Sequence, residues 1–263
     1  MRKILAVSNQ KGGVGKTTTA INLAASLALA DRSVLLVDID PQGNLTSGVG
    51  LKSAANSGPT IYEALMGTAE LPELATAIDR MRLVPANRNL AGAEIELVTM
   101  EARERRLSRI LESAGQRYDY ILIDTPPSLG LLTLNALVAA DAVLVPLHCE
   151  YFALEGIADL VATIRRVRAS LNPRLDILGV LLTMYDDRTN LGQQVARDIR
   201  GFFAEKVFTT VVPRNVRLGE APSHGLPVLL YDVKSKGAEA YVSLAREVLA
   251  RETAGPAPVA PLA

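Results

Sequence analysis

The residues best suited to chemistry form a glycine-rich segment near the N-terminus, Lys11-Gly12-Gly13-Val14-Gly15-Lys16-Thr17-Thr18. A short apolar run, residues 4–7, precedes this segment, and an apolar-periodic segment, residues 20–30, follows it. Strand, glycine loop and helix in this order are typical of a phosphate-binding loop, because glycines let backbone N–H groups face an anion and the helix adds its N-terminal dipole. We therefore expect all eight residues to bind a nucleotide, with Lys16 at the outer phosphates and the Thr17 hydroxyl on Mg2+.

The loop departs from the common pattern in two ways. Glycine usually stands where this chain has Gln10, and a second lysine, Lys11, lies inside the loop. Two cations five residues apart can both neutralise charge on a phosphoryl group during its transfer, so we expect Lys11 and Lys16 to be catalytic. The alternative is a glycine-rich turn with solvated lysines, which leaves the fit of eight consecutive positions and both flanks unexplained.

Carboxylates follow two of the predicted strands. Asp38 and Asp40 come after the apolar run 34–37, and Asp124 comes after the run 121–123. Ligand-contacting groups of parallel sheets lie at the carboxyl ends of strands, so these side chains belong beside the phosphate loop if the strands are neighbours. Asp124 has the form of a Walker B carboxylate that binds Mg2+ directly or through water, and Asp38 is expected as a further partner of the ion. The alternative for these acids is a solvated turn.

The elements that must position these residues alternate along the chain. Short apolar runs separated by longer helical patterns predict an α/β fold, a single doubly wound, mostly parallel sheet flanked by helices. This domain is expected to cover residues 1–252, and the Pro/Ala-rich residues 253–263 are expected to form a disordered tail. Two segments of weak periodicity, 52–60 and 212–225, are predicted as loops. Further strands are predicted at residues 82–85, 142–146, 177–182 and 207–212, and helices at 154–171 and 238–250.

Composition limits the class of protein. Hydrophobic residues make up 49% of the 263 residues, but no apolar run is long enough to span a membrane. The apolar run after Arg2 and Lys3 is too short for a secretory signal, so we expect a soluble, cytoplasmic protein. Basic and acidic residues balance at 28 each, so any basic surface must be local. A single cysteine, Cys149, excludes an internal disulfide.

The loop with its early lysine resembles the deviant Walker A box of the ParA/MinD group of P-loop ATPases. The resemblance implies a P-loop NTPase fold, ATP and Mg2+ as cofactors, and a homodimer that forms on ATP. In such a dimer Lys11 of each subunit reaches the nucleotide of the other, and Asp40 orients the attacking water. No arginine is evident that could serve as an arginine finger, which stabilises the transferring phosphoryl group, within the same subunit. We therefore expect slow hydrolysis that works as a timer.

Two further segments resemble the chromosomal ParA proteins, also called Soj. They are Asp40-Pro41-Gln42-Gly43-Asn44 and Cys149-Glu150-Tyr151-Phe152-Ala153-Leu154-Glu155-Gly156, and with segment 212–225 they extend the likeness over roughly residues 3–250. The likeness implies that Pro213 and Asn215 flank the adenine, and that Arg188 and Arg217 contact DNA. It also implies a nucleoid-associated DNA-partitioning ATPase whose sandwich dimer binds double-stranded DNA without sequence preference. A ParB-type centromere-binding partner would stimulate hydrolysis and release the dimer.

Local charge supports DNA binding independently of that likeness. Residues 188–217 contain six basic residues against two acidic ones, a net charge of +4 in a neutral chain. Phosphate contacts of this kind give weak, salt-sensitive binding, with a Kd of about 10⁻⁴ to 10⁻⁶ M. Pairing two such surfaces in a dimer would raise the affinity by avidity. The alternative is a solvated basic face.

Three other functions are compatible with a two-lysine loop. A MinD-like membrane-cycling ATPase needs a C-terminal amphipathic helix, for which the proline-containing residues 254–263 are unsuited. An iron–sulfur reductase needs four thiolates for a shared cluster, and a homodimer of this chain offers only two. An ATP-dependent small-molecule ligase or kinase needs an acceptor pocket, so ADP release that depends on a small acceptor and not on DNA would identify it.

Overall fold

An eight-stranded sheet forms the centre of the fold in the computed structural model, which describes residues 2–114, 116–150 and 153–253. The strands are β1 Lys3–Val7, β2 Val34–Asp38, β3 Leu74–Ala75, β4 Met81–Val84, β5 Tyr120–Asp124, β6 Ala142–His148, β7 Asp176–Tyr185 and β8 Val207–Pro213. Their order across the sheet is β3-β4-β2-β5-β1-β6-β7-β8, and all neighbours are parallel except β3 and β4. The predicted α/β fold with a doubly wound, mostly parallel sheet is confirmed.

Helices cover both faces of this sheet. They are α1 Lys16–Leu29, α2 Asn44–Gly48, α3 Lys52–Ser57, α4 Ile61–Met66, α5 Leu90–Glu96, α6 Arg106–Ser113, α7 Leu131–Ala139, α8 Ala153–Ser170, α9 Asn190–Phe203, α10 Val216–Glu220, α11 Val228–Tyr231 and α12 Lys236–Thr253. Along β1, Ile4 and Ala6 belong to a hydrophobic cluster with α4 to α9, whereas Leu5 and Val7 belong to a second cluster with α1, α2 and α12. Burial on both faces explains why the strands are continuous apolar runs in the sequence.

The register of the central strands brings the predicted site residues to one edge. Asp38 of β2 and Val7 of β1 are both register partners of Asp124 of β5. Val7 is also the partner of Leu144 in β6. The phosphate loop begins directly after Val7, so it starts beside Asp124 and between the carboxyl ends of β5 and β6.

Two segments predicted as loops contain short helices. In segment 52–60, α3 forms because it includes good helix formers and buries Ala55, whose carbonyl accepts a 2.9 Å hydrogen bond from Asn87 Nδ2. In segment 212–225, Asn215 caps α10 by accepting a 2.9 Å hydrogen bond from the Arg217 backbone, and a 3-10 turn follows at Ala221–His224. Helices of one or two turns are too short to produce a visible apolar period.

The ends of the chain leave two predictions open. The predicted tail 253–263 lies outside the described residues except for Thr253, at which α12 ends, so its disorder and the domain boundary stay predictions. Where the chain is described, no helix combines the length and the apolar character needed to cross a bilayer.

Candidate functional site

The loop between β1 and α1 forms an open cradle. Gly13 and Gly15 have φ values of 73° and 86°, in the left-handed region that glycine adopts without strain. Gly15 caps α1, and its carbonyl accepts the 2.9 Å hydrogen bond from Thr19 that starts the helix. A Cβ atom added to Gly12 or Gly13 would meet no atom within 4 Å, so this side of the loop has room for phosphate groups.

Neighbouring strands hold the cradle in place. Thr183, near the end of β7, donates a 2.8 Å hydrogen bond to the Val14 carbonyl. Asn9 donates to the Pro146 carbonyl of β6 at 2.8 Å and accepts from the Lys11 backbone at 3.0 Å. Sequence reasoning missed Asn9 and Thr183, whose only signals were a polar residue flanking the loop and a threonine near the end of an apolar strand. Both rigidify the loop before any ligand arrives.

The Lys16 side chain is buried beneath the cradle. Its ammonium donates to the Lys11 carbonyl at 3.1 Å, within the same loop. Burial lowers the pKa of Lys16, and the charges of Asp124 and Asp40 oppose this shift. A cation held in a poorly solvated position beside the cradle favours the binding of an anion such as a phosphate group.

Asp124 and Thr17 form the part of the site that could hold a metal ion. The Thr17 hydroxyl donates to Asp124 Oδ2 at 2.7 Å, while buried Oδ1 of the same carboxylate has no hydrogen-bond partner among the described residues. Burial first, and then the charge of Asp38, raise the pKa of Asp124 well above its usual range. An unpartnered buried carboxylate oxygen beside a hydroxyl suits Mg2+, which favours oxygen ligands and keeps several waters or phosphate oxygens. No group of three or more acidic, histidine or cysteine side chains in the described residues is placed to hold a metal, in keeping with this sparse set.

Asp38 lies beside Asp124, but its oxygens hold the backbone. Oδ2 accepts hydrogen bonds from the Thr46 backbone and hydroxyl at 2.9 and 2.7 Å, and Oδ1 accepts from the Asp40 backbone at 3.1 Å. The Thr46 hydroxyl in turn accepts from the Ala86 backbone at 3.0 Å. Burial raises the pKa of Asp38 to about 6, although the hydrogen bonds from Thr46 oppose it. Asp38 therefore shapes the segment that carries Asp40, and its predicted role near Mg2+ stays a prediction.

Asp40 completes the carboxylate half of the site. Its side chain is buried, and Oδ1 accepts a 2.9 Å hydrogen bond from the Gln42 backbone. Its charge acts on both Lys16 and Asp124, which places it close to the cradle. The structure thus brings together the carboxylates that sequence analysis predicted. The hydrogen bond from the Gln42 backbone fixes the orientation of the Asp40 side chain.

Lys11 forms an ion pair at the other side of the loop. Its ammonium lies 2.5 Å from Glu150 Oε2, just beyond the end of β6, and both side chains are partly exposed. Glu150 Oε1 is 2.6 Å from His148 Nδ1. The hydrogen bond from Lys11 keeps the pKa of Glu150 below its usual range, while burial lowers the pKa of His148. Sequence reasoning gave Glu150 and His148 no role, because nothing in the chain order shows that β6 ends beside the loop.

Comparison with known proteins identifies the family. Residues 2–177 match the family model described as an AAA domain. The chain is 56% identical over 253 residues to the chromosome partitioning protein ParA of Myxococcus xanthus, covering 95% of this chain and 89% of that protein. It is also 56% identical over 252 residues to the sporulation initiation inhibitor protein Soj of Bacillus subtilis, covering 95% and 99%. The chain belongs to the ParA/Soj family.

The fold of this ParA/Soj chain also matches solved structures. It superimposes with a TM-score of 0.85 on a Mycobacterium smegmatis protein described as cobyrinic acid a,c-diamide synthase with bound ADP and magnesium. That protein is 39% identical and the match covers 97% of both chains. The similarity confirms the P-loop NTPase fold.

The predicted adenine contacts lie at the end of β8. In this ParA/Soj chain β8 ends at Pro213, and Asn215 caps α10. A cavity of about 310 Å³ lies between the ends of β6, β7 and β8, lined in part by Glu150, Met184 and Arg214. Met184 has a φ of 49° at this edge, an uncommon conformation for a residue with a side chain. Contact of Pro213 and Asn215 with adenine stays a prediction.

The predicted DNA contacts are exposed but paired. Arg188 makes a two-pronged contact with Asp186 at 2.8 and 2.7 Å. Arg217 lies 2.8 Å from Glu220 and 3.2 Å from Asp232. These acids lie outside segment 188–217, so the surface is less positive than the net charge of that segment suggests.

Proposed function

We propose that this chain is an ATP-dependent chromosome-partitioning ATPase. ATP and Mg2+ are its cofactors, and the reaction converts ATP and water to ADP and phosphate. The observation that carries this proposal is the pairing of Thr17 with buried Asp124, which leaves one carboxylate oxygen beside the glycine cradle and Lys16 without a hydrogen-bond partner among the described residues. The relatives named above, at 56% identity over nearly the whole chain, support the cellular role.

The chain's own residues perform most of what phosphoryl transfer requires. Thr17 and Asp124 would hold Mg2+, which neutralises phosphate charge when bound. Backbone N–H groups of the cradle and the Lys16 ammonium stabilise the negative charge that develops on the phosphoryl oxygens. Asp40, fixed by the Gln42 backbone, orients the attacking water. Because each group is positioned before the reaction, little reorganisation is needed at the moment of transfer.

Dimerisation on ATP requires Lys11 to change partner. Its ion pair with Glu150 is partly exposed, and such pairs contribute only about 0–1 kcal/mol to stability. The more highly charged triphosphate of a second subunit can therefore displace Glu150 from Lys11. The resulting sandwich dimer has a lysine from each subunit on the nucleotide of the other, so ATP both fuels the cycle and holds the dimer together.

DNA binding follows from this dimer. Arg188 and Arg217 of both subunits exchange their acidic partners for DNA phosphates, which gives non-specific, salt-sensitive retention on the nucleoid. Slow hydrolysis, stimulated by a ParB-type centromere-binding partner, returns the chain to monomers and releases it. The nucleotide state thereby controls how long each molecule stays on DNA.

Retention on DNA tests the proposal directly. The parent protein and Asp40→Ala are each passed over immobilised double-stranded DNA with ATP or ADP, and the DNA is then washed. We expect retention of the parent with ATP only, and longer retention of the variant because its dimer cannot reset. Equal retention with both nucleotides would contradict control of DNA binding by the nucleotide. A turnover above about 10 per second without a partner would contradict slow intrinsic hydrolysis.

Two alternatives have their own readouts. ATP-dependent pelleting with liposomes, and not with DNA, would indicate a MinD-like membrane-cycling ATPase. The name of the Mycobacterium smegmatis structure favours ATP-dependent amidation of a small carboxylic acid as the second candidate. That function predicts ADP release that depends on an acid acceptor and a nitrogen donor and is indifferent to DNA.

A further inference from the structure

The turn that carries Asp40 is tied to the neighbouring part of the sheet by one threonine hydroxyl. Thr46 lies in α2, and only 1% of its surface is exposed. We propose that Thr46 is a positioning residue for hydrolysis, whose hydroxyl holds segment 38–46 in the conformation in which Asp40 orients the attacking water. The inference rests on the proposed function and adds to it a residue that acts through Asp38 and Asp40.

The Thr46 hydroxyl forms hydrogen bonds in both directions. Its oxygen accepts a 3.0 Å hydrogen bond from the Ala86 backbone, and the hydroxyl donates to Asp38 Oδ2 at 2.7 Å. The Thr46 backbone donates to the same Asp38 oxygen at 2.9 Å. Because an N–H group can only donate, the bond from Ala86 leaves the hydroxyl proton for the carboxylate. The orientation of the hydroxyl is therefore fixed from both sides.

The Ala86 end of this link belongs to the rigid part of the fold. Ala86 is buried and follows closely after β4, whose last residue, Val84, is the register partner of Val37 in β2. The next residue, Asn87, donates from Nδ2 to the Ala55 carbonyl at 2.9 Å. The backbone at Ala86 is therefore held on both sides, by the sheet and by α3, and its N–H group is a fixed point for the threonine hydroxyl.

The Asp38 end of the link reaches Asp40. Asp38 Oδ1 accepts a 3.1 Å hydrogen bond from the Asp40 backbone, and Asp40 Oδ1 accepts from the Gln42 backbone at 2.9 Å. The Gly43 backbone donates to the Asp40 carbonyl at 2.9 Å and closes the turn. A chain of hydrogen bonds thus runs from the end of β4 through Thr46 and Asp38 to Asp40. Fully bonded buried networks rigidify the groups that they join, so the hydroxyl in the middle of this chain controls how firmly Asp40 is held.

Removal of the hydroxyl tests this role. Thr46→Val keeps the branched shape of the side chain but leaves the Ala86 N–H without its acceptor and Asp38 with one donor fewer. We expect single-turnover phosphate release to fall by at least about tenfold, since a displacement of about 1 Å can cost about 10²-fold in rate. ATP binding, which depends on the cradle and Lys16, should stay within about twofold of the parent.

Two further substitutions at the same position sharpen the test. Thr46→Ser keeps the hydroxyl and should restore phosphate release to within about threefold of the parent. Thr46→Ala also lacks the hydroxyl and should lose activity in the same direction as Thr46→Val. The alanine variant decides the question if the valine variant does not fold.

A matched control separates this role from a loss of stability. Thr60 is also fully buried, and its hydroxyl likewise accepts from a backbone N–H group, that of Tyr62 at 3.2 Å, and donates to a carboxylate, that of Glu63 at 2.8 Å. This hydroxyl caps α4 and does not belong to the link to Asp40. Thr60→Val should therefore lower the midpoint of urea unfolding about as much as Thr46→Val does, while phosphate release stays within about twofold of the parent.

The other outcomes have separate meanings. Phosphate release by Thr46→Val within threefold of the parent would overturn the positioning role, and so would an equal loss in Thr60→Val or a failure of Thr46→Ser to restore release. A deficit of Thr46→Val that disappears at tenfold higher Mg2+ would also overturn it, by showing that Thr46 acts on the metal ion through Asp38. A parent that hydrolyses ATP but is not retained on DNA would overturn the proposed function, while the comparison of release rates would still decide the role of Thr46.

Discussion

The two halves of the catalytic edge differ in burial and therefore in what they can do. The carboxylate half, with Asp38, Asp40 and Asp124, is buried and fixed by hydrogen bonds to backbone and hydroxyl groups. The lysine half, with Lys11 and Glu150, is partly exposed and held by one ion pair. Buried groups are costly to rearrange, whereas exposed pairs exchange partners easily. The first half therefore suits the proposed chemistry, and the second suits the proposed exchange of partners.

The two halves also differ in how much of each could be predicted from the sequence. The loop 11–18 and the acids at strand ends were predicted because local order fixes them: a loop and the strand before it are contiguous. Glu150 and Thr183 were missed because their approach depends on β6 lying beside β1 and β7 beside β6, which only the sheet order provides. The short helices α3 and α10 were missed because their caps and single buried contacts leave no period.

Replacing Asp40 should produce the largest effect, because it removes from the rigid half the group that we propose orients the attacking water. Asp40→Asn keeps the size of the side chain and can still accept from the Gln42 backbone. We expect phosphate release to fall by about 10²- to 10⁴-fold, the usual contribution of such a group, with ATP binding retained. A fall of less than threefold in single-turnover phosphate release would move this role to another residue.

The buried carboxylates should also make the metal-free protein sensitive to pH. Because burial raises the pKa of Asp38 to about 6, the folded state binds a proton that the unfolded state has already lost above about pH 4. The free energy of unfolding therefore falls as pH rises through this window, by at most about 3 kcal/mol from this group.

Urea unfolding without Mg2+ between pH 4.5 and 7 measures this effect. The side chain of the variant Asp38→Asn cannot ionise, so the stability of the variant relative to the parent should increase as pH rises through the window. Asp119, whose pKa is lowered by hydrogen bonds from Ser33, is present in both proteins, so its titration affects both equally. A parallel pH dependence of the two proteins would mean that Asp38 is not the titrating group.

In the lysine half, Lys11→Ala should disrupt association and leave folding intact. The Lys11 side chain is partly exposed, so its loss costs the monomer little. A charge-assisted hydrogen bond to phosphate contributes about 1.5–3 kcal/mol, which corresponds to a loss of roughly 10- to 100-fold in ATP-dependent dimerisation for each of the two lysines that the dimer loses. Sedimentation with ATP measures the dimer, and thermal unfolding without nucleotide provides the control. Unchanged dimerisation would show that Lys11 does not contribute to the contact between subunits.

The smallest effect should come from the partner that Lys11 leaves. Glu150→Gln keeps the shape of the side chain but removes the charge that holds the Lys11 ammonium in the monomer. Because this exposed pair contributes no more than about 1 kcal/mol, we expect ATP-dependent dimerisation to strengthen by about two- to fivefold for each of the two pairs that the substitution removes. The unfolding midpoint should stay close to that of the parent. His148→Gln is the matched control, since it changes the other contact of Glu150 and leaves the ion pair in place. Weaker dimerisation of Glu150→Gln would show instead that Glu150 acts within the dimer, and the lysine half would then be a fixed part of the site, like the carboxylate half.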